Sequence, residues 1–188
     1  MELPVYMITG FLESGKTSFI LDTISDKQFS KGQRTLIIAC EEGEVEYAPD
    51  ILKAAKAEVE FIEDEEEFNS DHLSELVKKH RPTQIMLEYN GMWSLRTMAQ
   101  KAPKDWIFYQ IFMFVDHSKY QVYMNNMRQL LSDNFSIADI VVFNRCEKNK
   151  VDKKTLRRSI KALNPKIDMM FEYTDGSIAV SYTHLTLP

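Results

Sequence analysis

The stretch Val5-Tyr6-Met7-Ile8-Thr9-Gly10-Phe11-Leu12-Glu13-Ser14-Gly15-Lys16-Thr17 sets an apolar run, a glycine-bounded turn and the head of a helical pattern side by side. Its second half has the spacing Gly-x4-Gly-Lys-Thr, and each fixed position has a separate chemical reason. The glycines let the backbone bend so that successive N–H groups point inward at an anion. Lys16 brings a positive charge to the terminal phosphates of a nucleotide, and the Thr17 hydroxyl is a ligand for Mg²⁺. The helix that follows aims its positive end at the same anion. Gly10, Glu13, Ser14, Gly15, Lys16, Thr17 and Ser18 are therefore the expected phosphate cradle.

Outward from this loop, apolar runs and helical patterns alternate. Strands are expected at Leu3–Thr9, Thr35–Ala39, Val59–Ile62, Gln84–Leu87, Ile107–Val115, Ile137–Phe143 and Ile167–Phe171. Helices are expected at Lys16–Ile24, from Asn69 or Ser70 to His80, at Trp93–Ala102, from about Lys119 to Leu131, and after an Asp152 cap. This alternation predicts an α/β three-layer fold with a mainly parallel sheet and helices on both faces.

At 188 residues and 44% apolar content the chain suits one domain with a full core. A net charge of −5 and a pI near 5.4 argue against a general nucleic-acid binder. No basic segment followed by an apolar stretch opens the sequence, which reads as no secretory signal. The longest apolar run, Trp106 to Val115, is too short to cross a bilayer and suits a buried strand. Cys40 and Cys146 lack metal-type spacing, so a reducing cytoplasmic setting without disulfides is expected. An acidic block at 58–67 and a basic block at 148–158 read as solvated surface.

In a parallel sheet, groups that hold Mg²⁺ and sense the terminal phosphate belong just past the carboxyl ends of strands near the first. Two segments qualify: Cys40-Glu41-Glu42-Gly43-Glu44-Val45, and Glu88-Tyr89-Asn90-Gly91. Glu88 is suited to an Mg²⁺-bound water and the Gly91 N–H to the γ-phosphate. Cys40, Glu41 and Glu44 form a second, transition-metal candidate, with zinc one of the metals it would suit and the choice left open. Farther on, Asn144-Arg145-Cys146-Glu147 stands where guanine-specific loops carry Asn-Lys-x-Asp. Asn144 would read the purine and Arg145 would stack on it as well as Lys does. Glu147 would accept from two guanine N–H groups with one extra methylene.

With these motifs assembled, the chain resembles the CobW family of P-loop GTPases, relatives of the urease and hydrogenase nickel-insertion GTPases. The resemblance runs from about Pro4 to Phe171. It rests on the loop with Glu13 in place of a glycine, on Glu41, Gly43 and Glu44 of the switch segment, and on Glu88 and Gly91. It also rests on Phe114-Val115-Asp116, on Ala138 to Asn144 and on Leu163-Asn164-Pro165. The family's Cys-x-Cys-Cys motif has no counterpart, because Phe61 to Phe68 contains no cysteine. Family members continue into a smaller second domain, so residues 1–176 read as a truncated G domain. The end, 177–188, reads as a non-native or disordered tail.

The resemblance implies a slow, Mg²⁺-dependent GTP-binding and GTP-hydrolysing switch in metal or cofactor handling. Its ligands would be GTP and Mg²⁺ and its partner a client metalloprotein; nucleic acid and membrane are not expected, and a dimer fits the family. Lys16, Glu41, Glu44 and Glu88 are the catalytic candidates, with the choice of water-orienting carboxylate left open. Two rival readings stand beside it: an ATP-dependent small-molecule kinase, and a nucleotide-binding interaction module that does not hydrolyse.

Overall fold

The computed structural model describes residues 2–41, 43 and 45–181. It divides into two compact units, Met1–Tyr109 and Gln110–Pro188. The first carries β1 (Leu3–Gly10), α1 (Lys16–Ser25), α2 (Lys27–Ser30), β2 (Thr35–Ala39), α3 (Pro49–Ala55), β3 (Ala57–Phe61), α4 (Ser70–His80), β4 (Gln84–Asn90) and α5 (Leu95–Lys101). Strand β5 (Trp106–Asp116) leads into the second, which carries α6 (Tyr120–Asn126), α7 (Arg128–Ile137), β6 (Ile140–Cys146), α8 (Lys153–Leu163), β7 (Asp168–Tyr173) and β8 (Ile178–Ser181).

In the first unit the strands lie in the order β3-β2-β4-β1, all parallel. Val5, Met7 and Ile8, Leu36 to Ile38, and Ile85 to Leu87 are all buried. Such uninterrupted apolar runs mark parallel strands covered on both faces. β4 lies between β1 and β2, with Glu88 opposite Ile8 on one side and Ala39 on the other. At the edge, His80 and Lys79 of α4 reach the carboxylates of β3: His80 Nδ1 is 2.5 Å from Glu58 and its Nε2 2.5 Å from Glu60, with Lys79 2.6 Å from Glu60. The second unit pairs β5, β6 and β7 in parallel, and β8 runs antiparallel to β7.

The α/β class with mainly parallel strands is as expected, and several local features differ. The expected helix from Lys119 to Leu131 is broken at Met127 (φ −133°, ψ 33°) into α6 and α7. Just before the break the Asn126 side chain donates to Val122 O at 2.8 Å, a local bond of the kind that competes with the helical ladder. Ile137 closes α7 and does not open a strand, since apolarity alone does not separate the two. β5 is not buried throughout: Tyr109 is 66% exposed, whereas Met113 to Asp116 are buried. Helix α3 was unanticipated, although Pro49 at its first turn is a known opening signal. β8 falls within the stretch set aside as a tail. Among the described residues, no helix is long and apolar enough to cross a membrane.

Candidate functional site

The cradle forms where β1 hands over to α1. Gly10 (φ 143°), Glu13 (φ 60°) and Gly15 (φ 100°) all have left-handed backbone, which curls the loop. Two of these are glycines, for which that region is open; Glu13 adopts it at a cost of about 1 kcal/mol. Gly15 is the residue preceding α1 and, being glycine, offers no side chain of its own to cap it. One loop amide, Ser14 N–H, is bonded within the turn, to Phe11 O at 3.2 Å. A ten-residue helix beginning this way directs its positive end at the loop.

Lys16 heads that helix and is only 2% exposed. Its ammonium donates to Gly10 O and Phe11 O, each at 3.0 Å, and pairs with the Glu41 carboxylate. Thr17, next in line, donates from Oγ1 to Glu88 Oε1 at 2.7 Å, and the Tyr47 hydroxyl donates to Glu88 Oε2. Glu88 thus sits inside the end of β4, not in a loop beyond it, and is 2% exposed. Burial pushes its carboxyl above the usual carboxylate range, against the bonds from Tyr47 and Thr17 and the Lys16 charge, which pull it down. The oxygens of Thr17 and Glu88 are the hard donors that Mg²⁺ takes, one or two carboxylate or hydroxyl groups beside water and phosphate.

Gly91 follows β4 and has a role the sequence did not disclose. A Cβ there would lie 2.4 Å from both C and O of Gly10 and 2.9 Å from Phe11 N. Only glycine lets β4 press against the root of the loop, so Gly91 fixes the cradle from behind. Thr17, Glu41, Gly43, Val45, Glu46, Tyr47, Val59, Phe61 and Glu88 line a cavity of about 330 Å³ beside it.

The transition-metal candidate fares differently. Cys40 is fully buried, and burial pushes its thiol well above the usual range, which makes it a core residue at a strand end and not a surface ligand. Glu41 is turned to Lys16, and Glu44 lies outside the described residues. Among the described residues, no three His, Cys, Asp or Glu side chains are gathered to hold a metal ion.

In the second unit, Asn144 and Arg145 lie within β6, where pairing with β7 shifts register between Phe143 and Cys146. Arg145 takes a left-handed φ of 52° at this irregularity. Its Nη1 donates to Asp116 Oδ2 at 2.7 Å, and the side chain is 50% exposed. Asp116 also accepts from the Ser118 N–H (2.9 Å) and hydroxyl (2.6 Å). Burial raises the Asp116 carboxyl, but these bonds outweigh it and hold the group below the usual range. Asn144 is buried opposite Asp116 in the register of β5 and β6. Glu147 is exposed and pairs with Lys150 at 2.8 Å. Sequence reasoning assigned no role to Tyr47 or Asp116. Asp116 was visible as a strand-end carboxylate, while Tyr47 carried no signal.

Comparison with known proteins gives one family. The model for the CobW/HypB/UreG nucleotide-binding domain matches residues 4–171. No curated protein shows significant sequence similarity to the chain. Among solved structures, the chain is similar to the hydrogenase maturation factor HypB from Archaeoglobus fulgidus, at a TM-score of 0.62 and 16% identity over 93% of this chain and 82% of that one. HypB from Helicobacter pylori in complex with nickel gives 0.56 and 11% over 91% and 80%. FlhF complexed with GMPPNP and Mg²⁺ gives 0.54 and 14% over 97% and 72%. At these identities the likeness is one of fold alone.

Proposed function

The chain belongs to the CobW/HypB/UreG nucleotide-binding-domain family, and from that premise we propose that it is a Mg²⁺-dependent GTP-binding protein that hydrolyses GTP slowly as a switch in metal or cofactor handling. The observation that carries this reading is the pairing of Lys16 and Thr17 at the head of α1, just past Gly15 and beside a loop curled by Gly10, Glu13 and Gly15. Lys16 and the loop amides would hold the β- and γ-phosphates, and Thr17 and Glu88 would hold Mg²⁺, which when bound neutralises phosphate charge. Asn144, Arg145 and Glu147 would read guanine. In hydrolysis a water oxygen attacks the γ-phosphorus in line, and the bond to the bridging oxygen breaks to give GDP and inorganic phosphate. Lys16 offsets the negative charge on the way, and Glu41, Glu44 or Glu88 orients the water. Family membership supports the metal-handling role, with a client metalloprotein as the proposed partner and the cytoplasm as the proposed setting.

Thermal denaturation with GTP, ATP and their diphosphates, with and without Mg²⁺, tests this directly. A ligand at a hundred times its Kd adds about 2.7 kcal/mol of stability. GTP with Mg²⁺ should give the largest rise in Tm. An equal rise with ATP would overturn the guanine assignment, and no rise with any nucleotide would overturn the whole reading.

A further inference from the structure

Helix α8 carries charge that works against the helix itself. Lys153, Lys154, Arg157, Arg158 and Lys161 fall within about 140° of its circumference, beside the buried Leu156 and Ile160, and the helix holds no Asp or Glu. Lys153–Arg157, Lys154–Arg158 and Arg157–Lys161 are like-charged pairs four residues apart, each of which weakens a helix. Lys153 and Lys154 also stand in the first turn, at the positive end of the dipole. Helix α4 does the reverse, with Asp71 in its first turn and Lys78, Lys79 and His80 in its last, the latter two met by Glu58 and Glu60. Part of the α8 charge is used within the fold: Lys153 lies over the rings of Phe171 and Tyr173, and Lys161 donates to Pro165 O at 3.0 Å. Lys154, Arg157 and Arg158 are exposed, and among the described residues their side chains have no hydrogen-bond or ion-pair partner.

The first unit holds the complement. Residues 63–67 are five consecutive acids, of which Glu63, Asp64, Glu66 and Glu67 are exposed. The turn is pinned by Ile62 and Phe68, both fully buried, and by the Glu67 N–H donating to Asp64 O at 3.0 Å, so it holds like charges together. Among the described residues these carboxylates make no ion pair. The two units differ in sign as well: twelve Lys and Arg stand against twenty Asp and Glu in the first, eleven against eight in the second. We infer that the cationic face of α8 docks a second copy of this chain, which presents its acidic 63–67 turn. An external polyanion fits less well, because the acid-rich first unit of the same chain repels it. A bilayer needs an apolar helix face to enter, and the exposed large apolar side chain of α8 is Leu163 alone. The contact joins different surfaces of the two copies, so it closes as a pair that makes it twice or runs on as a chain.

The test is sedimentation velocity of the full chain over a range of concentrations, without nucleotide, so that it stands apart from the nucleotide reading. At about 10 mM salt the mean sedimentation coefficient should rise with concentration, and at about 1 M, where charges are screened within about 3 Å, it should not. R157E/R158E and E66K/E67K should each weaken association about tenfold or more, and a mixture of the two should restore it, since reversed helix then meets reversed turn. K27E/K31E, which changes the net charge as much as R157E/R158E does, should associate like the wild type. R157E/R158E should also raise Tm by about 2–4 °C, because its like-charged pairs become opposite ones. Association that is absent at low salt, that survives 1 M salt or R157E/R158E, or that the mixture does not restore, overturns the inference. So does an unchanged or lower Tm in R157E/R158E. Binding of the wild type to phosphatidylserine vesicles or to a poly(U) RNA, without self-association, overturns it as well and assigns the face to a polyanion.

Discussion

Glu88 and Asp116 are both strand-end carboxylates, both 2% exposed, and they answer burial in opposite ways. Glu88 receives two neutral hydroxyls, from Thr17 and Tyr47, and its carboxyl is held above the usual range by burial. Asp116 is also raised by burial, yet a hydroxyl, a backbone N–H and the Arg145 guanidinium bring it below that range. Two differences set the outcome: Glu88 lies deeper in protein, and Asp116 has the donor that carries a full charge in direct contact. The cradle end of the first unit therefore holds a carboxylate whose charge is poorly compensated by the chain itself, which a divalent cation would relieve. The Asp116–Arg145 pair is complete as it stands and serves to fix Arg145.

The largest effect should come from Lys16→Ala. Loss of the buried ammonium should weaken GTP binding about a hundredfold or more, while circular dichroism shows the fold retained. Retained affinity would remove the phosphate assignment. Gly91→Ala should come next. Its methyl would meet the Gly10 backbone at 2.4 Å, so overpacking should cost about 1–3 kcal/mol in urea denaturation. GTP affinity should fall with it as the cradle is pushed open.

Glu88→Gln sharpens the contrast through pH. Because the folded state raises the Glu88 pKa, it holds the proton more tightly than the unfolded chain does. Stability is then lost as pH rises from the ordinary carboxylate range through the raised value. The variant should lack that decline and lose the Mg²⁺ dependence of GTP binding; an unchanged pH profile would show that Glu88 is not the group responsible. Asp116→Asn should have the smallest effect and the opposite sign. A depressed pKa stabilises above the ordinary carboxylate range and is lost as pH falls through the lowered value. With Arg145 half exposed, the cost at neutral pH should be about 1 kcal/mol or less, read from urea midpoints across pH.

Much of this was legible in the sequence because the signals were local. Val5 to Ile8 and Leu36 to Ile38 are short apolar runs of strand length, each carrying β-branched residues, which suit buried parallel strands, and Gly10, Gly15, Lys16 and Thr17 keep their spacing whatever surrounds them. What was hidden depends on tertiary contact. Gly91 could be marked as a glycine of interest, but its approach to Gly10 arises only when β4 pairs with β1. Tyr47 meets Glu88 across 41 positions of sequence. Cys40 looked like a ligand beside two glutamates until the close of β2 against β4 buried it, with its N–H on Glu88 O at 2.8 Å. The break at Met127 was missed because helical periodicity continues across it on both sides.

Hydrogen exchange of the backbone amides, followed residue by residue on adding GTP with Mg²⁺, addresses the phosphate cradle most directly. Protection should rise most at residues 11–18, the loop and the first turn of α1, as those N–H groups close on the phosphates. GTP binding that leaves these amides exchanging as before would contradict it.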